Sequence, residues 1–156
     1  MNLKVYRTRK GAKLPTRAYQ SDAGMDVYYC ANGERKRFPD DQGLVIAPRE
    51  STLVPTGIKV DVPYGHMLEV KNKSGIASKR QLIVGACVID PGYNGEVYIN
   101  VHNIGLRPQT LFPGDKVAQV VLIPIVHCKV EEVETEKEFN HYSGRGTGGF
   151  GSTGDK

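Results

Sequence analysis

The chain has little with which to staple, export or anchor itself. Its three cysteines, Cys30, Cys87 and Cys128, are an odd number with no CxxC pair, so neither a disulfide framework nor a thiolate zinc site is indicated. Four histidines, His66, His102, His127 and His141, are scattered without ligand spacing. A metal that takes part is therefore expected to be held by oxygen, which favours magnesium. The opening residues, MNLKVYRTRK, contain no apolar core long enough for a signal peptide, and no later stretch reaches transmembrane length. The expectation is a protein that is not secreted, has no membrane partner and works in the cytoplasm, or in a host cell's cytoplasm if the source is viral. No 3.6-residue apolar pattern persists for three turns, which leaves no long amphipathic helix. Nor are basic residues interleaved with aromatics in a stripe, so no specific nucleic-acid partner is expected.

What is present points to strands. Glycine (18) and proline (9) are dispersed between short apolar runs, which suits many strands joined by tight turns. Strands are expected at Leu3 to Tyr6, from Asp26 onward, at Leu44 to Ile46, Ser51 to Val54, Ile58 to Val62, His66 to Val70, Thr110 to Phe112, Val117 to Pro124 and Val126 to Val133. Their spacing of roughly eight to twelve residues is an all-β signal. A chain of 156 residues is one domain's length, able to bury about two-thirds of its unfolded surface. Residues 30–43, CANGERKRFPDDQG, are polar and turn-rich and are expected to protrude as a loop. Residues 72–80 read as a basic link with a single turn of helix. From residue 142 the composition changes to a glycine-rich tail, SGRGTGGFGSTGDK with its preceding tyrosine, so the expected organisation is a core over 1–141 and a flexible segment over 142–156.

The formal net charge of +4 is unevenly placed. Arg7, Arg9, Lys10, Lys13 and Arg17 crowd the start; Arg35, Lys36 and Arg37 form a second cluster; Glu131, Glu132, Glu134, Glu136 and Glu138 an acidic one. These three are expected to be solvated faces. A further basic group, Lys71, Lys73, Lys79 and Arg80, lies in the link.

The most informative stretch is Leu82 to Val101, LIVGACVIDPGYNGEVYINV, which reads as a β-hairpin with an acid at its lip. The apolar run through Val88 and Ile89 stops at Asp90, where Pro91, Gly92, Asn94 and Gly95 supply turn chemistry. Val97, Ile99 and Val101 then fall on one face and Tyr98, Asn100 and His102 on the other. Such a mouth leaves main-chain N–H and C=O groups open to a flat polar ligand. The tail imitates a phosphate-binding P-loop in the separation of Gly149 and Gly154, but Asp155 stands where the lysine belongs. What remains there is unhindered N–H groups, hydroxyls and one guanidinium that can gather around phosphates.

Five ordered segments together resemble the homotrimeric dUTPases, the deoxyuridine triphosphate nucleotidohydrolases: Ala23-Gly24-Met25-Asp26, Lys73-Ser74-Gly75-Ile76-Ala77, Val88-Ile89-Asp90 with Tyr93 and Gly95, Gly114-Asp115-Lys116-Val117-Ala118-Gln119, and Arg145 to Gly154. The resemblance implies a jelly-roll-like (β-clip) subunit and a homotrimer with active sites shared between chains. It also implies conversion of dUTP to dUMP and pyrophosphate with Mg²⁺, which keeps uracil out of DNA and supplies dUMP for thymidylate synthesis. Carried over residue by residue, Asp90 would activate the water that attacks the α-phosphorus, and Tyr93 would lie against the deoxyribose. The main chain of Ala86, Cys87 and Val88 would read the uracil edge. Lys73, Ser74, Gly75 and Gln119 would meet the phosphates, and Asp26 would hold magnesium through water. In the tail, Arg145 would neutralise phosphate charge, Gly151, Ser152 and Thr153 would receive the γ-phosphate end, and Phe150 would stack on the base, making residues 142–156 a lid.

Three departures from the family's pattern stand out. Lys73 and Lys116 occupy positions where arginine is usual; lysine keeps the charge but loses the planar fork. Cys87 takes a place often given to glycine. The 30–43 loop is longer than the family core requires and is expected to offer a regulatory protein partner a docking element. Competing readings are a deoxycytidine triphosphate deaminase, which would need a catalytic glutamate where Asp90 and Tyr93 follow the hydrolase pattern, and a nucleotide-gated binding protein. A purely structural jelly roll would leave Arg145, Phe150 and Ser152 unexplained.

Overall fold

The computed structural model describes residues 1–31, 43–135 and 138. Within them the chain forms β1 (Lys4–Arg7), β2 (Met25–Tyr28), β3 (Leu44–Ile46), β4 (Ser51–Pro55), β5 (Ile58–Asp61), β6 (His66–Lys71), α1 (Ser74–Arg80), β7 (Leu82–Val84), β8 (Val88–Ile89), β9 (Tyr98–Asn103), β10 (Gln109–Leu111) and β11 (Lys116–Pro124). All the pairings are antiparallel. One sheet runs β2-β11-β6-β8, another β4-β9-β7, and β1 pairs with β5 and β10 with β3. The all-β expectation holds, and most strand limits fall within a residue of those read from the apolar alternation.

That alternation builds the core. In β5, Ile58 and Val60 are buried while Lys59 and Asp61 face out; in β9, Ile99 and Val101 are buried while Tyr98 is exposed. Val54, Ile99 and Leu111 are fully enclosed, each worth about 1.5–3 kcal/mol of burial. Asn103 is, with Thr56 and Asp26, one of the buried polar residues among those described. Its amide nitrogen donates to the carbonyls of Ile46 (3.0 Å) and Arg107 (2.8 Å), and its Oδ1 accepts from the Gly105 N–H at 3.0 Å, so its burial leaves nothing unsatisfied.

Several expectations are corrected. Leu82 to Val101 is not one hairpin: β7 pairs with β9, but β8 leaves that sheet and pairs with β6, Leu68 opposite Ile89 and Glu69 opposite Val88. The edge of β6 not used by β11 offers β8 the ladder that β9, already flanked by β4 and β7, cannot. The link after β6 carries a seven-residue helix rather than a single turn, closed by Gln81 in the left-handed region (φ 53°) with its N–H on the Ile76 carbonyl. Lys79 and Arg80 sit in the last turn, where the helix dipole favours cations. Residues 126–133 form no strand. Val126 and Val130 are 94% and 97% exposed there, and no described strand lends them the neighbour that a ladder requires. The first basic run is not wholly solvated either, because Arg9 is engaged in a two-point ion pair with Glu96.

The contacts divide the chain into two units, Met1–Val126 and His127–Lys156. In the second, the N–H and the hydroxyl of Thr135 both bond to Glu138 Oε1. Of the expected loop at 30–43, residues 32–42 lie outside the described residues, as does the whole glycine-rich tail over 142–156. No described helix is long and apolar enough to cross a membrane.

Candidate active site

Antiparallel pairing of β2 with β11 sets Asp26 directly opposite Gln119 and brings Lys116, at the start of β11, alongside. Lys73 arrives from the residue preceding α1. The Asp26 carboxylate is 5% exposed and takes both lysines: Lys73 Nζ on Oδ1 at 2.5 Å and Lys116 Nζ on Oδ2 at 2.6 Å. Burial alone would push this carboxyl up, but the hydrogen bonds and charges of Lys116 and Lys73 outweigh it and hold Asp26 below its usual range. The same contact, through the hydrogen bond and charge of Asp26, raises Lys116.

Gln119 lies over Gly24, where any Cβ would collide with its Oε1, and its Nε2 donates to the Asn72 carbonyl at 2.9 Å. Asn72 in turn accepts the Val84 N–H on Oδ1 at 2.8 Å, tying this corner to β7. Ser74 and Gly75 are exposed at the start of α1. The fold thus gathers Asp26, Lys73, Ser74, Gly75, Lys116 and Gln119 into one basic corner. Asn72, which braces it, carried no motif of its own in the sequence.

This corner suits a magnesium ion only in one mode. Among the described residues no group of three or more His, Cys, Asp or Glu side chains comes together, so no all-protein cage exists there. A carboxylate has about four lone-pair sites, and two lysines leave Asp26 room for bound water. An ion that keeps most of its waters and leans on substrate phosphates asks for no more than one such carboxylate.

The second cluster is a cleft of about 320 Å³ lined by Leu53, Val88, Ile89, Asp90, Tyr93, Val97 and Tyr98. Asp90 follows β8, and the Tyr93 N–H returns to the Asp90 carbonyl at 3.3 Å, which makes 90–93 a turn with the exposed Asp90 side chain at its lip. The Tyr93 hydroxyl donates to the Glu96 carbonyl at 2.9 Å. Leu53, Val88, Tyr93 and Tyr98 all expose large apolar surface here, and exposed apolar area in a concavity marks a binding site. Leu53 and Tyr98 were not among the expected site residues. Part of the signal was available: Tyr98 is a large side chain on the outward face of β9, which alternates in and out, whereas β4, with Leu53 exposed and both Val54 and Pro55 buried, does not alternate.

Ala86 and Cys87 adjoin Val88 but do not line the cleft. The Cys87 carbonyl accepts the Val70 N–H at 2.7 Å and its thiol turns to the Gly85 carbonyl. Of the expected tail contacts, Arg145, Phe150, Gly151, Ser152 and Thr153 lie outside the described residues.

The corner and the cleft are separate within one chain. In the order β2-β11-β6-β8, Asp26 and Asp90 are three strand spacings apart, about 14 Å. Register sets Asp26 level with Lys71, and Asp90 one residue beyond the Ile89–Leu68 pair, a further displacement of roughly 13 Å along the strands.

Comparison with known proteins places this architecture. The dUTPase family profile matches residues 10–154. The deoxyuridine 5'-triphosphate nucleotidohydrolase of Clostridium acetobutylicum is 39% identical over 158 aligned positions, covering 100% of this chain and 99% of the relative. That of Gloeothece citriformis is 35% identical, covering 99% and 97%. Among solved structures, a dUTPase of Staphylococcus bacteriophage 80alpha with dUpNHpp superposes with a TM-score of 0.83 at 27% identity and 98% coverage of both chains, which bears out the jelly-roll-like architecture. A dUTPase from phage phi11 of S. aureus, solved for its coordination of a structural Mg(II) ion, superposes with a TM-score of 0.75 at 25% identity, covering 86% of this chain and 98% of that one. With the ordered motifs, the full-length relatives and the shared fold in agreement, the chain belongs to the dUTPase family.

Proposed function

We propose that this protein hydrolyses dUTP to dUMP and pyrophosphate, removing a precursor of uracil in DNA and supplying dUMP for thymidylate synthesis. The observation that carries the assignment is the cleft in which the exposed Asp90 carboxylate and the Tyr93 ring stand over an apolar floor. Asp90 orients and deprotonates the water that attacks the α-phosphorus, an assistance worth about 10²- to 10⁴-fold. Tyr93 lies against the deoxyribose and leaves no room for a 2′-hydroxyl. Main-chain groups of Ala86, Cys87 and Val88, with Tyr98 on the returning strand, read the uracil. A site built to pair with one set of donors and acceptors rejects a mismatched base by about 10⁴ to 10⁵.

The basic corner serves the phosphates. Lys73, Ser74, Gly75 and Gln119 bind and orient the chain of phosphoryl groups, Gln119 keeping one amide hydrogen free of Asn72 for the purpose. Asp26 would hold a magnesium ion through water, and such an ion would supply neutralising charge to the phosphates. The tail completes the site: Arg145, Gly151, Ser152 and Thr153 on the phosphates and Phe150 over the base, closing as a lid when the full nucleotide is present. Because the corner and the cleft are far apart in one chain, a site made of both is assembled between chains, in a homotrimer.

The decisive assay is pyrophosphate release from dUTP, dCTP, dTTP and UTP with Mg²⁺, for the native protein and Asp90→Asn. Release from dUTP alone, reduced about 10²-fold or more in the variant, is expected. Equal turnover of the four substrates would overturn the assignment, and ammonia release from dCTP would replace it with deamination.

A second role as a nucleotide-gated partner has one support. The phage 80alpha dUTPase, 27% identical to this chain, is described as controlling transfer of virulence genes by a G protein-like mechanism. A protein partner bound at the 30–43 loop only in the presence of non-hydrolysable nucleotide is the outcome that role requires.

A further inference from the structure

Arg9 begins in a basic run and ends in an ion pair. Its Nη1 donates to Glu96 Oε2 at 2.8 Å and its Nη2 to Oε1, with side chains 24% and 11% exposed. Glu96 Oε1 also accepts the Gly57 N–H at 2.7 Å. On either side of this pair the same turn between β4 and β5 is fastened down: the Thr56 hydroxyl donates to the Val97 carbonyl at 2.6 Å, the Val97 N–H to the Ile58 carbonyl at 2.9 Å, and the Thr8 N–H to the Gly57 carbonyl at 2.8 Å. Glu96 and Val97 are thereby immobilised against the turn, and Arg9 locks the N-terminal segment onto both.

The main-chain carbonyl of that immobilised Glu96 is the acceptor of the Tyr93 hydroxyl, at 2.9 Å. From beneath, the Tyr93 ring packs on Gly95 so closely that a Cβ there would collide with its Cζ and hydroxyl. The hydroxyl end of the ring is thus held by the Glu96 carbonyl and by the close approach of Gly95. An ion pair at this depth is weak evidence of net stabilisation, and the Arg9 Nε is buried without a hydrogen-bond partner. What the pair does supply is a fixed carbonyl behind the residue that meets the sugar.

We propose that the Arg9–Glu96 pair is a positioning element for Tyr93 that sets the discrimination between deoxyribo- and ribonucleotide; this rests on the reading of Tyr93 as the sugar contact. Neither residue lines the cleft. Exclusion of a 2′-hydroxyl is steric, so it depends on a ring that cannot retreat by even part of an ångström. Loosening the Glu96 carbonyl lets the ring swing and admits the extra oxygen.

The test measures kcat/KM for dUTP and UTP side by side on the full-length protein, with melting temperatures, for Tyr93→Ala, Tyr93→Phe, Glu96→Gln and Arg9→Lys. Arg9→Lys keeps the charge and removes the fork, which carries the test if Glu96→Gln folds poorly. Tyr93→Ala is expected to collapse the dUTP-to-UTP ratio. Arg9→Lys and Glu96→Gln are expected to lower the ratio about tenfold, as a misplacement short of 1 Å would, with the loss on dUTP falling on KM more than on kcat. Glu96→Gln should add nothing to Tyr93→Phe, since without the hydroxyl the ring is already uncoupled from the Glu96 carbonyl that the ion pair holds in place. An unchanged ratio in Arg9→Lys and Glu96→Gln beside a collapsed one in Tyr93→Ala overturns the positioning role and leaves the sugar contact standing. An unchanged ratio in Tyr93→Ala removes the sugar contact and the positioning role together. A fall in melting temperature with equal losses on both substrates assigns the pair to stability alone and also overturns the proposal.

Discussion

Lys73 and Asp26 are 47 residues apart in the chain and joined by a 2.5 Å hydrogen bond. With Lys116 on the other carboxylate oxygen, a buried acid on β2 is shared between the residue before the helix and the first residue of β11. The basic corner is thus organised around a negative charge, which offsets the repulsion between two ammonium groups and aims them from a common point.

This arrangement makes stability depend on pH in a stated direction. Burial raises the Asp26 carboxyl and the two lysines lower it further than that, so its folded value lies below the ordinary one. A depressed carboxyl contributes stability that is present above its unfolded value, about 3.9, and is lost as pH falls through the lower folded value. Asp26→Asn should therefore cost about 1.5–3 kcal/mol of stability at pH 7, the worth of a hydrogen bond to a charged partner, and so lower the melting temperature there. The gap to the native protein should close as pH falls below about 4. A melting series from pH 7 to 3 in which the gap stays constant would show that the carboxylate's charge is not what stabilises the corner.

Separation of the corner from the cleft leads to a complementation experiment. Chains carrying Asp90→Asn retain the corner, and chains carrying Lys73→Ala retain the cleft. Each alone should be nearly inactive on dUTP. Unfolded together and refolded as mixed trimers, they should regain activity, about one site in four receiving both intact halves by random cyclic assembly. Mixtures that remain as inactive as either parent would place the whole site within one chain.

The tail supplies a third expectation. A chain ending at Asn140 lacks Arg145, Phe150, Ser152 and Thr153, and should lose about 10²-fold or more in kcat/KM for dUTP, since positioning of the phosphates and exclusion of water go with it. Its affinity for dUMP, which has no γ-phosphate to recruit the tail, should change much less. Titration calorimetry with dUMP beside steady-state hydrolysis separates the two effects, and full hydrolytic activity in the shortened chain would remove the lid.

Much of this protein is written locally. The alternation Val97, Ile99, Val101 became the buried face of β9 because a period of two is a property of neighbouring residues alone. The turn residues after Ile89 placed Asp90 at a lip for the same reason. Asp26 was recognisable at a strand start, and its burial between two lysines agrees with the motifs that singled it out.

Other features had no local signal. Nothing in Val88-Ile89 says that it pairs with β6 rather than β9; that depends on which sheet edge is left open once β4 and β7 have flanked β9. Val126 to Val133 has the composition of a strand and no strand to join among the described residues. Arg9 looks like its solvated neighbours until Glu96, 87 residues away, is brought to it. Leu53 and Tyr98 look like stray exposed apolar residues until the β4–β9 pairing and the turn at 90–93 make a cleft of them.

The sequence by itself determined the all-β class, most strand and turn positions and the ordered motifs, because alternation, turn chemistry and motif spacing are encoded between near neighbours. Only the tertiary structure decided which strands share a sheet, which lysines meet Asp26, what floors the cleft beside Asp90 and what fastens Tyr93. Those are contacts between residues tens of positions apart, selected by competition for sheet edges and buried charge, and no short-range pattern specifies the winner.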